Sequence, residues 1–161
     1  MSIQNALRDL KKFSNDILTL MPPIKEASAN IFEDKFKIKL PQDYKYLLTV
    51  HNGVELLGTK IYGIETDDVR YGLEQCYLFE HFEVARKMPL SLIPFSPDGG
   101  GNHYCFDTES ASCPIVFWQH DYPYSIDDRP EITHKNLADW IHEVMIEWTL
   151  EDYDYDGTEK A

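Results

Sequence analysis

The chain has 161 residues and a mass of 18.8 kDa, which predicts a single domain spanning residues 1–161. Its hydrophobic fraction of 43% excludes a disordered chain, and no run approaches the roughly 20 apolar residues that cross a bilayer. Fifteen Lys and Arg against 28 Asp and Glu give a formal net charge of −13, which repels phosphate backbones and argues against direct nucleic-acid binding. The first residues lack the apolar segment of a secretory signal, and three cysteines cannot all pair within one chain, so we expect a cytoplasmic protein.

The acidic residues are concentrated toward the C-terminus. Residues 1–50 hold 8 basic and 6 acidic side chains, a net charge of +2, whereas residues 121–161 hold 3 and 12, a net charge of −9. An acidic surface of this kind attracts basic partners and accelerates their encounter. The alternative interpretation is that the negative charge only keeps the protein soluble.

Two helices are predicted before residue 41. Apolar residues recur at helical spacing from Ile3 to Leu20, and the prolines at 22 and 23 end that pattern. A second helix is predicted to follow the prolines and to end at Leu40-Pro41. Its predicted inward side chains are Ile24, Ala27, Ile31 and Phe32, and its predicted outward side chains are Lys25, Glu26, Glu33 and Lys35.

A third, short helix is predicted over Gln42–Val50, since Pro41 suits the entry of a helix and Gly53 suits its end. Its apolar face consists of Tyr44, Leu47 and Leu48. After Gly53 the sequence changes to short β-type runs separated by Gly, Pro, Asp and Ser. The predicted strands are Val54–Leu57, Lys60–Ile64, Leu92–Phe95, His103–Asp107 and Ile115–His120.

The remaining elements complete an α+β pattern. Residues 96–102, SPDGGGN, predict a hairpin turn, and Glu74–Lys87 is predicted as a helix. A last helix is capped by Asn136, and residues 151–161 are predicted as a frayed acidic tail. The predicted inward stripe of the last helix is Leu137, Trp140, Ile141, Val144, Met145 and Trp148. Helices, then strands, then a helix predict an α+β fold with a mainly antiparallel sheet.

No motif in the sequence predicts a catalytic site, a metal site or a cofactor. His103 and Cys105 share a strand face, but a buried cysteine is the commoner reason for that spacing. Each of the three cysteines could meet a histidine in space, yet no nucleophile signature accompanies them. The glycines at 99–101 lack the lysine of a phosphate-binding loop. Asp152–Gly157 opens like a calcium loop, but the ligand at its twelfth position has no counterpart, so a solvated tail is expected.

Three segments follow one another in an order that resembles a known family. Residues 31–48, followed by His51-Asn52-Gly53, contain a helix ending in Leu-Pro, a helix with Tyr and Leu-Leu, and Asn-Gly. Residues 93–107, IPFSPDGGGNHYCFD, form the second segment, and residues 114–121, a hydrophobic strand ending in an aromatic and a polar cluster, form the third. Together they resemble the signatures of the SUKH superfamily, and the resemblance covers about residues 24–150.

The resemblance implies a SUKH-like α+β domain that binds proteins and has no shared catalytic residues. Bacterial members are typically immunity proteins of polymorphic toxin systems, which bind a cognate toxin domain, often a nuclease, and block it. Fungal members regulate cell-wall synthesis and signalling. The first hypothesis is therefore an immunity protein that neutralises a basic cognate toxin domain, without a nucleic-acid or membrane partner. The alternative is a regulatory protein-binding domain of a non-toxin pathway, such as the control of cell-wall synthesis.

The predicted partner-binding residues lie in one proline-containing loop that combines negative charge with aromatic side chains. They are Asp121, Tyr122, Tyr124, Asp127, Asp128 and Glu131. Aromatic residues are common centres of binding energy at interfaces, and carboxylates at the rim steer a basic partner. The alternative is a solvated loop whose tyrosines fold inward.

Overall fold

Two antiparallel sheets form the framework in a computed structural model that describes residues 1–161. The first sheet has the order β1-β2-β3, with strands Leu18–Leu20, Val54–Leu56 and Thr59–Ile61. The second has the order β4-β5-β6-β7, with strands Leu92–Pro97, His103–Asp107, Ile115–Trp118 and Glu131–His134. The Tyr62 N–H just after β3 donates to the Phe95 carbonyl in β4 over 2.8 Å, which links the two sheets.

The helices precede, separate and follow these sheets, so the predicted α+β class with a C-terminal helix is confirmed. The first four are α1 Ile3–Leu10, α2 Glu26–Phe36, α3 Gln42–Val50 and α4 Leu73–Leu78, which continues as a π-helical turn over Phe79–Glu83. The last helix is a continuous rod made of α5 Leu137–Trp140, a π-helical segment Ile141–Glu147 and α6 Trp148–Asp152. The third helix has the predicted bounds, and its predicted apolar side chains are fully buried.

The four-stranded sheet separates two apolar clusters. One face packs on the main core of 30 buried residues, to which Ile93, Phe95, Phe106 and Ile115 belong. The other face carries a second cluster made of Met88, Leu92, Cys105, Val116 and Trp118. Neighbouring residues of a strand point to opposite faces, so the same strands supply both clusters. The loop predicted to bind a partner lies over this second face, because Tyr124 packs against its cluster.

The prediction of one helix from Ile3 to Leu20 is wrong. The helix ends at Leu10, a turn follows, and residues 18–20 form β1. Leu18 pairs with Leu56 and Leu20 pairs with Val54, so the apolar residues of this segment serve an edge strand. The leucine spacing fits a helix as well as a strand, and pairing with β2 decides between them.

The inward face of α2 is also different from the predicted one. Ala29 and Phe32 are buried, whereas Ala27 is exposed and Ile31 is 67% exposed. Glu33, predicted to face solvent, is buried: one oxygen accepts the Leu40 N–H at 2.7 Å and the other accepts Lys45 Nζ at 3.0 Å. Hydrogen bonds from two donors stabilise the buried Glu33 carboxylate in the interior. Glu33 therefore determines which face of α2 points toward the core.

The last helix follows its predicted apolar stripe up to Met145 and then departs from it. Asn136 caps the helix as predicted, with its side-chain oxygen accepting the Asp139 N–H at 2.9 Å. After the π-helical segment, Ile146 is buried and Trp148 is 46% exposed. The i→i+5 hydrogen bonds of a π-helix widen each turn, so the inward face shifts along the sequence and Trp148 leaves the core.

The tail is folded against the domain, so the prediction that it is frayed is wrong. The Tyr155 ring lies 4.8 Å from the Phe13 ring, and the Tyr155 carbonyl accepts the Ser14 N–H over 2.8 Å. Tyr153 and Glu159 form an antiparallel bridge that turns the chain back. The apolar and backbone contacts of Tyr155 hold the segment in place despite the surrounding carboxylates.

Candidate protein-binding site

The predicted site is the loop that joins β6 to β7, and paired strands hold both of its ends. Phe117 in β6 pairs with Glu131 in β7, so the loop begins and ends at neighbouring positions on adjacent strands. The sequence did not predict β7, since EITH is short and half exposed. Five of the six predicted residues therefore belong to one hairpin connection at the edge of the four-stranded sheet, and the sixth, Glu131, is the first residue of β7.

Tyr124 fastens this loop to the sheet. Its ring stacks on the Trp118 ring with centroids 4.4 Å apart and an angle of 17° between the planes. Its hydroxyl oxygen accepts the Gln119 N–H at 3.0 Å, which closes the first half of the loop. Burial raises the pKa of the Tyr124 hydroxyl above its ordinary value. This side chain holds the loop in shape more than it presents itself to a partner.

Asp128 and Arg129 shape the second half of the loop. One oxygen of Asp128 accepts the Ser125 N–H at 2.9 Å, and the Asp128 N–H donates to the Ser125 carbonyl at 3.1 Å. Arg129 forms an ion pair with Glu109 on the neighbouring connection between β5 and β6. The carboxylate of Asp128 thus accepts a hydrogen bond within the loop, and Arg129 offsets the charge of Glu109.

Four of the six predicted residues have exposed side chains without a hydrogen-bond or ion-pair partner: Asp121, Tyr122, Asp127 and Glu131. Tyr122 is 45% exposed and leans on Tyr124, with ring centroids 4.6 Å apart. Ile126, which is not among the six predicted residues, is 100% exposed in the same loop. The loop therefore presents three carboxylates, one aromatic ring and one aliphatic side chain.

A second exposed apolar surface lies on α4 and its π-helical turn. Leu78, Phe79 and Phe82 face solvent there, while the charged or polar Glu80 and His81 are buried. His81 is held by two backbone carbonyls, those of Tyr77 at 2.7 Å from Nδ1 and Pro89 at 3.0 Å from Nε2. Sequence periodicity missed this surface, because the expected pattern places aromatic residues inside and charged residues outside.

The structure brings one cysteine close to a histidine. Cys76 Sγ lies 3.4 Å from His103 Nε2, and His103 Nδ1 lies 3.7 Å from a Glu80 oxygen, beyond hydrogen-bond distance. Burial raises the pKa of the Cys76 thiol to about 12 and lowers the pKa of His103 to about 4. Near neutral pH the thiol is therefore protonated and the imidazole neutral, and the three side chains are buried.

The rest of the structure offers two further observations on site chemistry. No three His, Cys, Asp or Glu side chains converge where a metal ion would be held. No helix combines the length and the apolar character needed to cross a bilayer. The exposed loop and the apolar surface on α4 are the candidate protein-binding surfaces of this molecule.

Comparisons with known proteins agree with this arrangement. A crystal structure of a protein from Pseudomonas syringae pv. tomato has a similar fold, with a TM-score of 0.55 and 17% identity over 73% of this chain and 83% of that chain. No curated protein matches the chain. A family model described as SMI1-KNR4 cell-wall, one of the SUKH families, matches residues 26–141. This match extends from α2 into the last helix, well over half of the chain, and the chain therefore belongs to the SMI1-KNR4 family of the SUKH superfamily.

Proposed function

We propose that this protein is a bacterial immunity protein that binds and neutralises a cognate polymorphic toxin domain in the cytoplasm. The observation that carries the proposal is the β6–β7 loop together with the first residue of β7, where the side chains of Asp121, Asp127 and Glu131 are exposed near Tyr122 and have no hydrogen-bond or ion-pair partner. SUKH domains are generally protein-binding and non-enzymatic, and this function requires no catalytic group of its own.

The charge of the chain indicates the kind of toxin. A nuclease holds phosphates in a basic cleft, and a chain of net charge −13 would be attracted to such a cleft and could occupy it. The exposed loop carboxylates would steer the encounter, while Tyr122 and Ile126 would supply apolar contact once the two surfaces meet.

The test measures binding to a purified toxin domain encoded beside the gene of this protein. The variant Asp121→Lys/Asp127→Lys/Glu131→Lys is expected to associate about tenfold more slowly at low salt and to show a weaker salt dependence. Asp128 stays unchanged, because it accepts a hydrogen bond within the loop.

A matched control changes the net charge by the same amount elsewhere. Asp16, Asp34 and Asp67 are exposed, so replacing all three with Lys alters the overall charge but leaves the loop intact. We expect a much smaller effect on the association rate from this control. Equal effects of the two variants would contradict the assignment to the loop, and an absence of toxin binding would contradict the proposed function.

A second candidate function is a regulatory protein-binding domain in the control of cell-wall synthesis. The specific observation in its favour is the match to the family model described as SMI1-KNR4 cell-wall. Deletion of the gene separates the two candidates. Sensitivity to the neighbouring toxin supports immunity, whereas altered resistance to cell-wall inhibitors in a strain without that toxin supports regulation.

A further inference from the structure

A cavity of about 520 Å³ lies between the β6–β7 loop and the segment of residues 86–92. Its apolar lining includes Leu92, Trp118, Tyr124 and Ile126, and its volume is within the range of about 300–1,000 Å³ typical of small-molecule sites. The cavity lies on the face of the sheet that carries the second apolar cluster. It is therefore built on strands, with the loop as one wall.

The polar side chains of this cavity fall into two groups. Each of its carboxylates already has a donor: Asp107 accepts the Glu109 N–H at 3.1 Å, Asp128 accepts the Ser125 N–H at 2.9 Å, and Glu109 pairs with Arg129. Arg86 and Lys87 line the same cavity and have no hydrogen-bond or ion-pair partner. Arg86 and Lys87 are thus the charged side chains of this cavity that have no partner, whereas Asp107 and Asp128 keep their negative charge beside backbone N–H donors.

The indole of Trp118 adds an unused donor. The side chain is 3% exposed and lines the cavity, and its Nε1 has no hydrogen-bond partner. A buried N–H without an acceptor is unfavourable, so a ligand that brings an acceptor oxygen would gain from it. The donor belongs to a ring that is already fixed by its stack on Tyr124.

We infer that this cavity binds an aromatic or aliphatic group that carries a carboxylate. The apolar part would lie against Trp118, Ile126 and Leu92, and the carboxylate would lie near Arg86 and Lys87 with the Trp118 N–H as a further donor. Arg and Lys both recognise carboxylates, Arg with the stronger, bidentate geometry. The inference goes beyond the proposed function, because it holds whether or not the loop binds a toxin.

The test uses N-acetyl-phenylalanine as the probe and N-acetyl-phenylalaninamide as its neutral counterpart. Calorimetric titration of the full-length protein is expected to give at least tenfold weaker binding of the amide, since the amide lacks the charge that Arg86 and Lys87 recognise. The Trp118 indole N–H resonance, assigned with a Trp118→Phe variant, is expected to shift on addition of the carboxylate. Equal binding of the two probes, no binding at about 10 mM, or an unmoved Trp118 resonance would each overturn the inference.

The variant Arg86→Gln/Lys87→Gln provides the second arm. Both side chains are exposed, so the variant is expected to keep its melting temperature and to bind N-acetyl-phenylalanine about tenfold more weakly. The control Lys37→Gln/Lys39→Gln removes the same charge from residues that do not line the cavity. If the control loses as much affinity as the first variant, general electrostatics explain the binding and the inference fails.

The source of the carboxylate is decided by comparing two further probes. A tetrapeptide ending in phenylalanine represents the chain end of a protein partner, and 3-phenylpropanoate represents a free small molecule. Tighter binding of the peptide assigns the cavity to a protein terminus, and binding of phenylpropanoate alone assigns it to a small molecule. Both outcomes support a carboxylate site, whereas failure of both probes contradicts it.

Discussion

Asn52 connects the end of α3 to the segment after β3 through both atoms of its side-chain amide. Its Nδ2 donates to the Ile64 carbonyl at 2.7 Å, and its Oδ1 accepts the Ile64 N–H at 2.8 Å. The backbone of Gly63 passes so close that an added Cβ would lie 2.1 Å from the Asn52 carbonyl oxygen. The sequence identified Asn52-Gly53 as a helix end and as part of a family-like segment, but the contacts of Asn52 with Gly63 and Ile64 have no local signal.

Gly63→Ala is expected to destabilise the fold by about 3 kcal/mol, since the new methyl group meets backbone that cannot move aside. Gly58→Ala is the matched control. Nothing lies within 4 Å of its added Cβ, but its φ of +89° disfavours alanine, which we expect to cost about 1–2 kcal/mol. The free energies of unfolding in urea measure both changes. Equal losses for the two variants would show that the close approach at Gly63 relaxes freely.

His103 makes stability depend on pH. Burial lowers its pKa to about 4, against an ordinary value near 6.5, while the Asp98 carboxylate opposes this shift. Between these two pH values the unfolded chain binds a proton that the folded chain does not, so stability falls as the pH decreases. The full loss is about 3 kcal/mol. Glu80 acts in the opposite direction, because burial raises its pKa and the folded state then binds its proton more readily.

The variant His103→Gln is expected to flatten the dependence of the unfolding free energy on pH between about 6.5 and 4. Urea titrations at several pH values provide the measurement. A variant His103→Gln with the slope of the parent protein would assign the acid sensitivity to other groups.

Among the elements, those with a clear local pattern could be predicted and those decided by pairing could not. The helix Gln42–Val50 and the hairpin between β4 and β5 follow from proline, glycine and helical spacing. The strands β1 and β7 are short edge strands whose existence depends on pairing with another strand, which for β1 lies far along the chain and for β7 lies across the long β6–β7 loop. The loop of the candidate site was found from its composition, but the roles of Tyr124 and Asp128 depend on contacts that composition does not reveal.

The two tryptophans of the last helix are expected to differ sharply in their contribution to stability. Trp140 is fully buried, with its ring centroid 5.0 Å from that of Phe95 and 5.4 Å from that of Tyr104. Trp140→Ala should therefore cost about 3–5 kcal/mol. Trp148→Ala, after the π-helical segment, should cost less than about 1 kcal/mol, because the side chain is half exposed. Thermal unfolding measures the stability of both variants. Similar losses of stability would contradict the inference that the π-helical segment turns Trp148 away from the core.

The folded tail leads to a related expectation. Truncation after Asp152 removes the contact of Tyr155 with Phe13 and should lower the melting temperature by several degrees, equivalent to about 1–2 kcal/mol. The point variant Tyr155→Ala should reproduce most of this loss. An unchanged melting temperature after truncation would show that the tail contacts contribute nothing to stability.

For the whole molecule, the net negative charge destabilises the folded state. A net charge of −13 on 161 residues is self-repulsive, and the carboxylates of residues 121–161 face outward with few basic neighbours. Raising NaCl from about 10 mM to 500 mM should therefore raise the melting temperature by a few degrees, since the Debye length falls from about 30 Å to less than 10 Å. Calorimetry at constant pH measures the shift. A melting temperature that falls with added salt would mean that the ion pairs outweigh the repulsion.

The π-helical segment Ile141–Glu147 gives the last helix about one residue more than a regular helix of the same rise would contain. Deleting one residue from an α-helix normally turns everything beyond the deletion by about 100°. Here a single deletion inside the segment would instead restore regular i→i+4 bonding and leave both ends of the helix facing as they do now. A deletion of one residue inside this segment can therefore shorten the helix without reorienting the segment that packs against Phe13.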